Sequence, residues 1–237
     1  MSRSKRYLAV KEKVDRFQTY PLEEAIRLMK ELATASFDES ADVVYRLGVN
    51  PKKNEHRVRG TVILPHGVGR EVRVIAFAKG EKAKEAEEAG AEVVGGEDLA
   101  KRIEEGWLDF DAAVATPDMM SIVGKLGRIL GPRGLMPSPK TGTVTQEIGQ
   151  AIAELKRGKI EFRLDEYGNI HSPFGRCSFP EEHLIENLVA LTQAILEEKP
   201  EDVRGKYSRA VTISSTMGPG IKVDPDELVQ RAAERML

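Results

Sequence analysis

Residues 72–117 read VRVIAFAKGEKAKEAEEAGAEVVGGEDLAKRIEEGWLDFDAAVATP, and their rhythm decides the fold. Val72 to Ala78 is an apolar run of strand length, and Lys79 and Gly80 lead into a helix that runs through Ala89 and stops at Gly90. Val93 and Val94 make a short second strand, Asp98 to Glu105 the next helix, and Ala112 to Ala115 a third strand ending at Thr116 and Pro117. Short apolar strands alternating with helices predict a parallel sheet with crossover helices. Asp118 to Leu130 again reads as helical, and a last helix from Thr145 or Gln146 to Arg157, with Ile148, Ile152 and Leu155 on one face, stops at Gly158. Residues 67–158 therefore read as a small α/β unit.

The flanks read differently. Upstream, Leu22, Ile26, Met29 and Leu32 mark an amphipathic helix opened by Pro21 and by the acids Glu23 and Glu24. Val43, Tyr45, Leu47 and Val49 alternate as a strand, a basic loop runs from Asn50 to Arg59, and Thr61 to Leu64 is a second strand that Pro65, His66 and Gly67 interrupt. Downstream, Ile160, Phe162 and Leu164 alternate, Asp165 to Asn169 is a turn, and Ile170 to Phe179 is expected to run back as the hairpin partner. A long helix follows from Pro180 to before Pro200 with the stripe Leu184, Leu188, Leu191 and Ile195, then a strand over Ala210 to Ser215. Neither flank alone builds a layered core, so residues 1–66 and 159–237 are expected to form one split α+β domain. The α/β unit is then an insertion held by two adjacent linkers, near Pro65 to Gly69 and Arg157 to Lys159, and Pro65, His66, Gly67 and Gly158 are the expected hinge.

The chain carries 36 Lys plus Arg against 38 Asp plus Glu, a net charge of -2, with 41% hydrophobic and 31% charged residues. That balance excludes disorder throughout and excludes a polycation coating nucleic acid or membrane along its whole length. No apolar run reaches the roughly 20 residues that span a bilayer, and the basic Met1 to Arg6 has no apolar segment behind it, so the chain reads as cytosolic with no membrane partner. The single cysteine, Cys177, forbids an internal disulfide, and its place in a strand favours a buried, inert thiol.

Catalytic chemistry finds no support. The strand-to-helix turn Ala78, Lys79, Gly80, Glu81 has one glycine and an acid where a phosphate would sit, and Gly124, Gly127, Gly131 and Gly134 follow a helical stretch and no strand. His56, His66, His171 and His183 are scattered without metal-ligand spacing, so neither a metal nor a cofactor is expected. The alternative of a small nucleotide-dependent α/β enzyme is disfavoured for lack of a phosphate-binding loop. Cations are instead segregated: Lys52, Lys53, Arg57, Arg59, Arg70 and Arg73 outnumber Glu55 and Glu71, while Lys125, Arg128, Arg133 and Lys140 have no acid between them, nor do Arg204, Lys206, Arg209 and Lys222. Such segments permit local phosphate contacts, and solvated loops show them equally. The turn Ser214, Ser215, Thr216, Met217, Gly218, Pro219, Gly220 offers hydroxyls, amides and a flexible thioether where a partner's backbone can come close, which suits shape readout of folded RNA, although spacing alone favours a plain tight turn.

The run Gly124 to Pro137, GKLGRILGPRGLMP, closely resembles the signature of the large-subunit ribosomal protein L-one family, bacterial type, and so do Leu64 to Gly67, Trp107 to Asp118 and Ser215 to Pro219. The resemblance covers nearly the whole chain in order. It implies a split α+β RNA-binding domain with an inserted Rossmann-like α/β domain, and a structural, non-enzymatic role in the large ribosomal subunit. It further implies binding to rRNA at the mobile stalk near the tRNA exit site, help in releasing deacylated tRNA, and repression of the protein's own mRNA. The family's RNA contacts carry over to Phe37 in Ala35 to Glu39, to Ser215, Thr216, Met217 and Gly218, and to Arg163, Asp165, His171 and Arg176 on the expected hairpin. Many relatives have a basic residue where this chain has Ser36 and another where it has Glu166, which removes two phosphate contacts and flattens the salt dependence. Past the family's usual stop, Leu228, Val229, Ala232 and Met236 would line a short amphipathic helix after Pro225.

Overall fold

In the computed structural model, which describes residues 4–235, a short helix α1 (Lys5–Lys11) precedes α2 (Leu22–Leu32). Leu22, Ala25, Ile26, Met29 and Leu32, spaced to share one face of α2, are all buried. Strand β1 (Ser40–Leu47) follows, burying Ala41, Val43, Tyr45 and Leu47 on alternate positions, and β2 (Arg59–Ile63) comes after a loop that includes one turn of 3-10 helix at Asn54–His56.

Contacts divide the chain into two compact units, one of the residues up to Gly69 with those from Ile160 onward, the other Arg70–Lys159. The second unit holds β3 (Val74–Phe77), α3 (Glu81–Glu88), β4 (Val93–Gly95), α4 (Glu97–Glu104) and β5 (Ala112–Ala115). These strands form a parallel sheet in the order β4-β3-β5, with Ile75 opposite Val93 and Val74 opposite Ala112. Both faces are covered, as the period-two alternation of β3 requires. Val74, Ala76 and Ala78 pack with α3 and with α7 (Ile148–Lys156), while Ile75 and Phe77 pack with Leu99 and Ile103 of α4 and with Met119, Val123, Leu126 and Leu130.

The segment expected as one helix over Asp118 to Leu130 is broken. It runs as 3-10 turn (Pro117–Met119), α5 (Met120–Val123), 3-10 turn (Gly124–Leu126) and α6 (Gly127–Leu130). Gly124 and Gly127 each cost a helix interior roughly 1 kcal/mol relative to alanine, so burial of Val123, Leu126 and Leu130 decides the local winding.

The chain returns to the first unit as β6 (Lys159–Arg163), β7 (Asn169–Arg176), α8 (Glu181–Glu197), β8 (Ser208–Ser215), β9 (Ile221–Val223) and α9 (Pro225–Arg235). A four-stranded antiparallel sheet has the order β7-β1-β8-β9, and β2 with β6 makes a separate two-stranded sheet. The hairpin expected between β6 and β7 does not form as a ladder. Its turn exists, with Asp165 N–H donating to Asn169 O at 2.8 Å, but Leu164 N–H donates across to Val58 O at 2.9 Å and the strands part into different sheets, joined only by a bridge between Leu164 and Ile170. Pairing with β2 and β1 buries Phe162, Ile170 and Phe174 in one core with α2 and α8, which a simple two-stranded hairpin could not do.

Inside that core the hydroxyls of Tyr45 and Thr192 hydrogen-bond at 2.8 Å, and Thr192 also donates to Leu188 O at 2.7 Å. The helix expected after Pro225 is ordered as α9, with Leu228 and Ala232 fully buried against α8 and β8. Met236, expected on the same face, lies outside the described residues. No helix among the described residues is long and apolar enough to cross a membrane.

Candidate nucleic-acid interface

At one end of the four-stranded sheet, the register sets Ser40 opposite Arg176 and Ala41 opposite Ser215. The start of β1 and the ends of β7 and β8 therefore meet, and the loop before β1 meets the turn after β8. Glu39 organises both. Its residue is only 2% exposed, and one carboxylate oxygen accepts the Met217 amide at 2.8 Å while the other accepts the Ala35 amide at 2.9 Å. Thr216 completes the seam: its N–H donates to Ser40 O at 3.1 Å, and its Oγ1 accepts the Ser40 N–H at 2.9 Å.

Burial pushes the Glu39 carboxyl up, but the Met217 amide, Ser215, the Ala35 amide and the charge of Arg6 together hold it below the usual carboxylate range. The buried Ser215 hydroxyl lies beside Glu39 and helps hold its carboxyl low, though the contact falls short of good hydrogen-bond geometry. Gly218 N–H donates to Ser215 O at 3.1 Å, and a Cβ on Gly218 would stand 2.5 Å from Ser215 Oγ, so glycine is what lets this turn close. The result is a rigid frame that displays two apolar side chains to solvent, Phe37 at 53% and Met217 at 51% exposure.

Arg176 belongs to the same cluster, since its guanidinium donates to Asp38 O at 2.8 Å, and Asp38 in turn accepts the Ser178 N–H at 3.2 Å and its hydroxyl at 2.8 Å. Cys177 N–H donates to Glu39 O, and the Cys177 thiol is pushed up to about 11 by burial and by the neighbouring Glu39 and Asp38, so it stays an inert thiol.

The other expected contacts are set apart. His171 lies opposite Val44, and Asn169 opposite Arg46, so the far end of β7 stands roughly 20 Å from Arg176 at about 3.3 Å per residue. There Asp165 accepts the amides of Tyr167 at 2.8 Å and Asn169 at 2.7 Å, and its carboxylate lies 3.4 Å from His171 Nε2. Burial pushes Asp165 up, and these hydrogen bonds outweigh it to hold the carboxyl low. Asp165 thus shapes the turn, with His171 exposed beside it, and Arg163 is exposed at the end of β6 in the other sheet. Phe37, Arg176 and Ser215 to Gly218 form one cluster, while Arg163, Asp165 and His171 extend a second patch along and beyond the β7 edge.

Glu39, Asp38 and Ser178 escape the sequence reading because an acid before a strand looks like any solvated acid. The residues expected to form a hinge are tied down on one side. His66 N–H donates to Asn187 Oδ1 at 3.0 Å, Asn187 Nδ2 donates to Gly67 O and Phe174 O at 2.9 Å each, and the His66 ring stacks on His183 with centroids 3.7 Å apart. His66 and Gly67 are so fixed to α8, and the chain passes between the units at Gly69–Arg70 and Lys159–Ile160.

Many cations are internally neutralised: Lys53 by Asp202, which also hydrogen-bonds the His56 ring, Arg59 by Glu161, Arg70 by Asp111, and Arg73 by Asp109 and Asp111. Lys125, Arg128, Arg133 and Lys140 are exposed and make no ion pair among the described residues. No group of three or more metal-ligating side chains occurs among the described residues.

Comparison with known proteins matches the sequence to one family. Residues 29–219 fit the sequence model described as "Ribosomal protein L1p/L10e family". The chain is also similar to the "Large ribosomal subunit protein uL1" of Thermus thermophilus, 56% identical over 222 residues that cover 93% of this chain and 97% of that one. The chain belongs to the ribosomal protein L1p/L10e family, and its role is that of a structural ribosomal protein with no catalytic activity.

Proposed function

We propose that this protein binds a folded region of large-subunit rRNA through the surface formed by Phe37, Arg176 and the Ser215 to Gly218 turn. One observation carries the reading: the buried Glu39 carboxylate fixes the Phe37 loop and the Met217 turn to each other, so that two exposed apolar side chains are held as a preformed surface. Holding exposed apolar groups in one conformation lowers the ordering cost of binding. Arg163, Asp165 and His171 extend the contact toward the other end of β7, where a long RNA helix would be followed by shape.

In this reading the RNA is the mobile stalk near the tRNA exit site, the protein assists release of deacylated tRNA, and the same surface takes a region of the protein's own mRNA and represses its translation. The unpaired Lys125, Arg128, Arg133 and Lys140 in the second unit suit a phosphate backbone, here that of exit-site tRNA. The two units act as a split RNA-binding domain and an inserted Rossmann-like domain. His66 and Gly67, following Pro65, are the anchored base of the hinge. Its turning points are Gly69, at φ +72 where a Cβ would meet Phe179 Cε1 at 2.7 Å, and Gly158, at φ +100.

The test is binding of a structured large-subunit rRNA fragment by a Met217→Asp variant, whose half-exposed side chain can change without disturbing the core. Affinity should fall at least a hundredfold while the melting temperature holds, and the mRNA leader should compete with the rRNA for the parent protein. Parent-like affinity in the variant would refute this surface.

A further inference from the structure

Beside the Met217 turn lies a groove of about 410 Å³, walled on one side by α1 and the loop after it and on the other by β8, β9 and the turn between them. Lys11, Arg16 and Lys222 line it, and none has an ion-pair partner among the described residues; the one acid at the rim, Asp15, has a carboxylate oxygen engaged by the Phe17 amide at 2.9 Å. Tyr7 and Phe17 also line it. Phe17 is 93% exposed, yet its segment is ordered: Asp15 N–H donates to the Tyr20 hydroxyl at 3.0 Å, and Tyr20 N–H donates to Lys222 O at 2.9 Å. A phenylalanine fixed almost wholly in water has no packing role. An exposed ring lining the same groove as three cations, on a backbone segment tied to the sheet, offers what stacking of an unstacked base beside its phosphates demands.

We infer that this groove is a nucleotide-binding subsite for the RNA on the proposed surface, taking one unstacked base on Phe17 and its phosphates on Lys11, Arg16 and Lys222. The subsite rests on the RNA-binding reading above and extends it past the Met217 turn, since Pro219 and Gly220 continue from that turn into the groove wall. Continuity runs along α1 as well, because Arg6 on the same helix as Tyr7 and Lys11 acts electrostatically on Glu39. The floor is narrow: a Cβ on Gly220 would come within 2.9 Å of Thr212 Cγ2, so glycine leaves the backbone open to close approach. An acidic peptide would satisfy the cations but would leave the exposed ring without a flat partner.

The experiment measures affinity for the structured large-subunit rRNA fragment, and its salt dependence, for the parent, Phe17→Ala, Phe17→Tyr, the double variant Lys11→Gln with Lys222→Gln, and Met217→Asp. Phe17→Ala should weaken binding about tenfold with an unchanged salt slope, and Phe17→Tyr should bind like the parent. The double variant should flatten the slope of log affinity against log salt by about one to two. Chemical probing should show one base protected by the parent and exposed with Phe17→Ala. If Met217→Asp loses binding while the groove variants match the parent in affinity, slope and protection, the subsite is overturned and the RNA-binding surface stands. If the parent itself does not bind the fragment, both fall.

Discussion

Glu39 shows how much one buried carboxylate can organise. Both its oxygens are occupied by backbone amides from segments about 180 residues apart, a separation read from Ala35 and Met217 in the sequence. Glu39→Gln turns one acceptor into a donor that faces an amide donor, so stability should fall by about 1–3 kcal/mol, measured as a shift in urea midpoint. The pH dependence has a definite sign. Because the folded carboxyl is held below its unfolded value, its contribution is complete above the usual carboxylate pKa and is lost as pH falls through the lower folded value. The stability gap between parent and Glu39→Gln should therefore be widest near neutral pH and close in acid; a gap that widens on acidification would contradict the role given to this group. The Ser215 to Gly218 turn stood out by residue type and by the family resemblance, and Phe37 by the resemblance alone; the structure sets both at one end of the sheet. Glu39 was not legible, because sequence records that an acid is present and not that two amides point at it.

Among the elements, α9 does more than cover apolar surface. Pro21 has no side chain to cap α2, and the Leu22 N–H is met instead by Glu227 Oε2 of α9 at 3.0 Å, with Arg231 pairing to Glu23 at 3.0 Å. Leu228→Ala, at a position with no exposure, should cost about 2–5 kcal/mol in thermal or denaturant unfolding. A loss within 0.5 kcal/mol or so, the ordinary scatter of surface substitutions, would show α9 to be dispensable. Periodicity found this helix, as it found α2, α7 and α8, since a one-sided apolar stripe has to be buried against something. The β6 and β7 strands were legible as strands while their partners were not. Alternation fixes which side chains face inward and says nothing of which neighbour supplies the hydrogen bonds. The glycine-broken stretch from Asp118 to Leu130 reads as one helix because Val123, Leu126 and Leu130 keep a near-helical spacing through 3-10 turns.

At the scale of the molecule, net charge conceals distribution. Residues 1–66 with 159–237 carry equal numbers of cations and anions, and residues 67–158 are slightly acidic. Several cations that look clustered in sequence are spent on internal pairs such as Arg73 with Asp109 and Asp111, which leaves fewer for a partner than a count implies. Salt dependence of RNA binding should accordingly be shallow for a ribosomal protein, set by a few placed side chains. The second unit closes its sheet and both apolar layers using only Arg70–Lys159, so that segment produced alone should melt cooperatively, as followed by circular dichroism.

The order β7-β1-β8-β9 has a consequence for how the protein is made. As the polypeptide is synthesised, Arg70–Lys159 becomes complete early and depends on nothing later. Strand β1, by contrast, emerges before it and waits with both edges open until β7 and then β8 arrive, more than 120 residues afterwards for the first. For that interval Val43 and Tyr45 have no sheet to join, which makes β1 the stretch where nascent chains would adhere to one another or call for a chaperone.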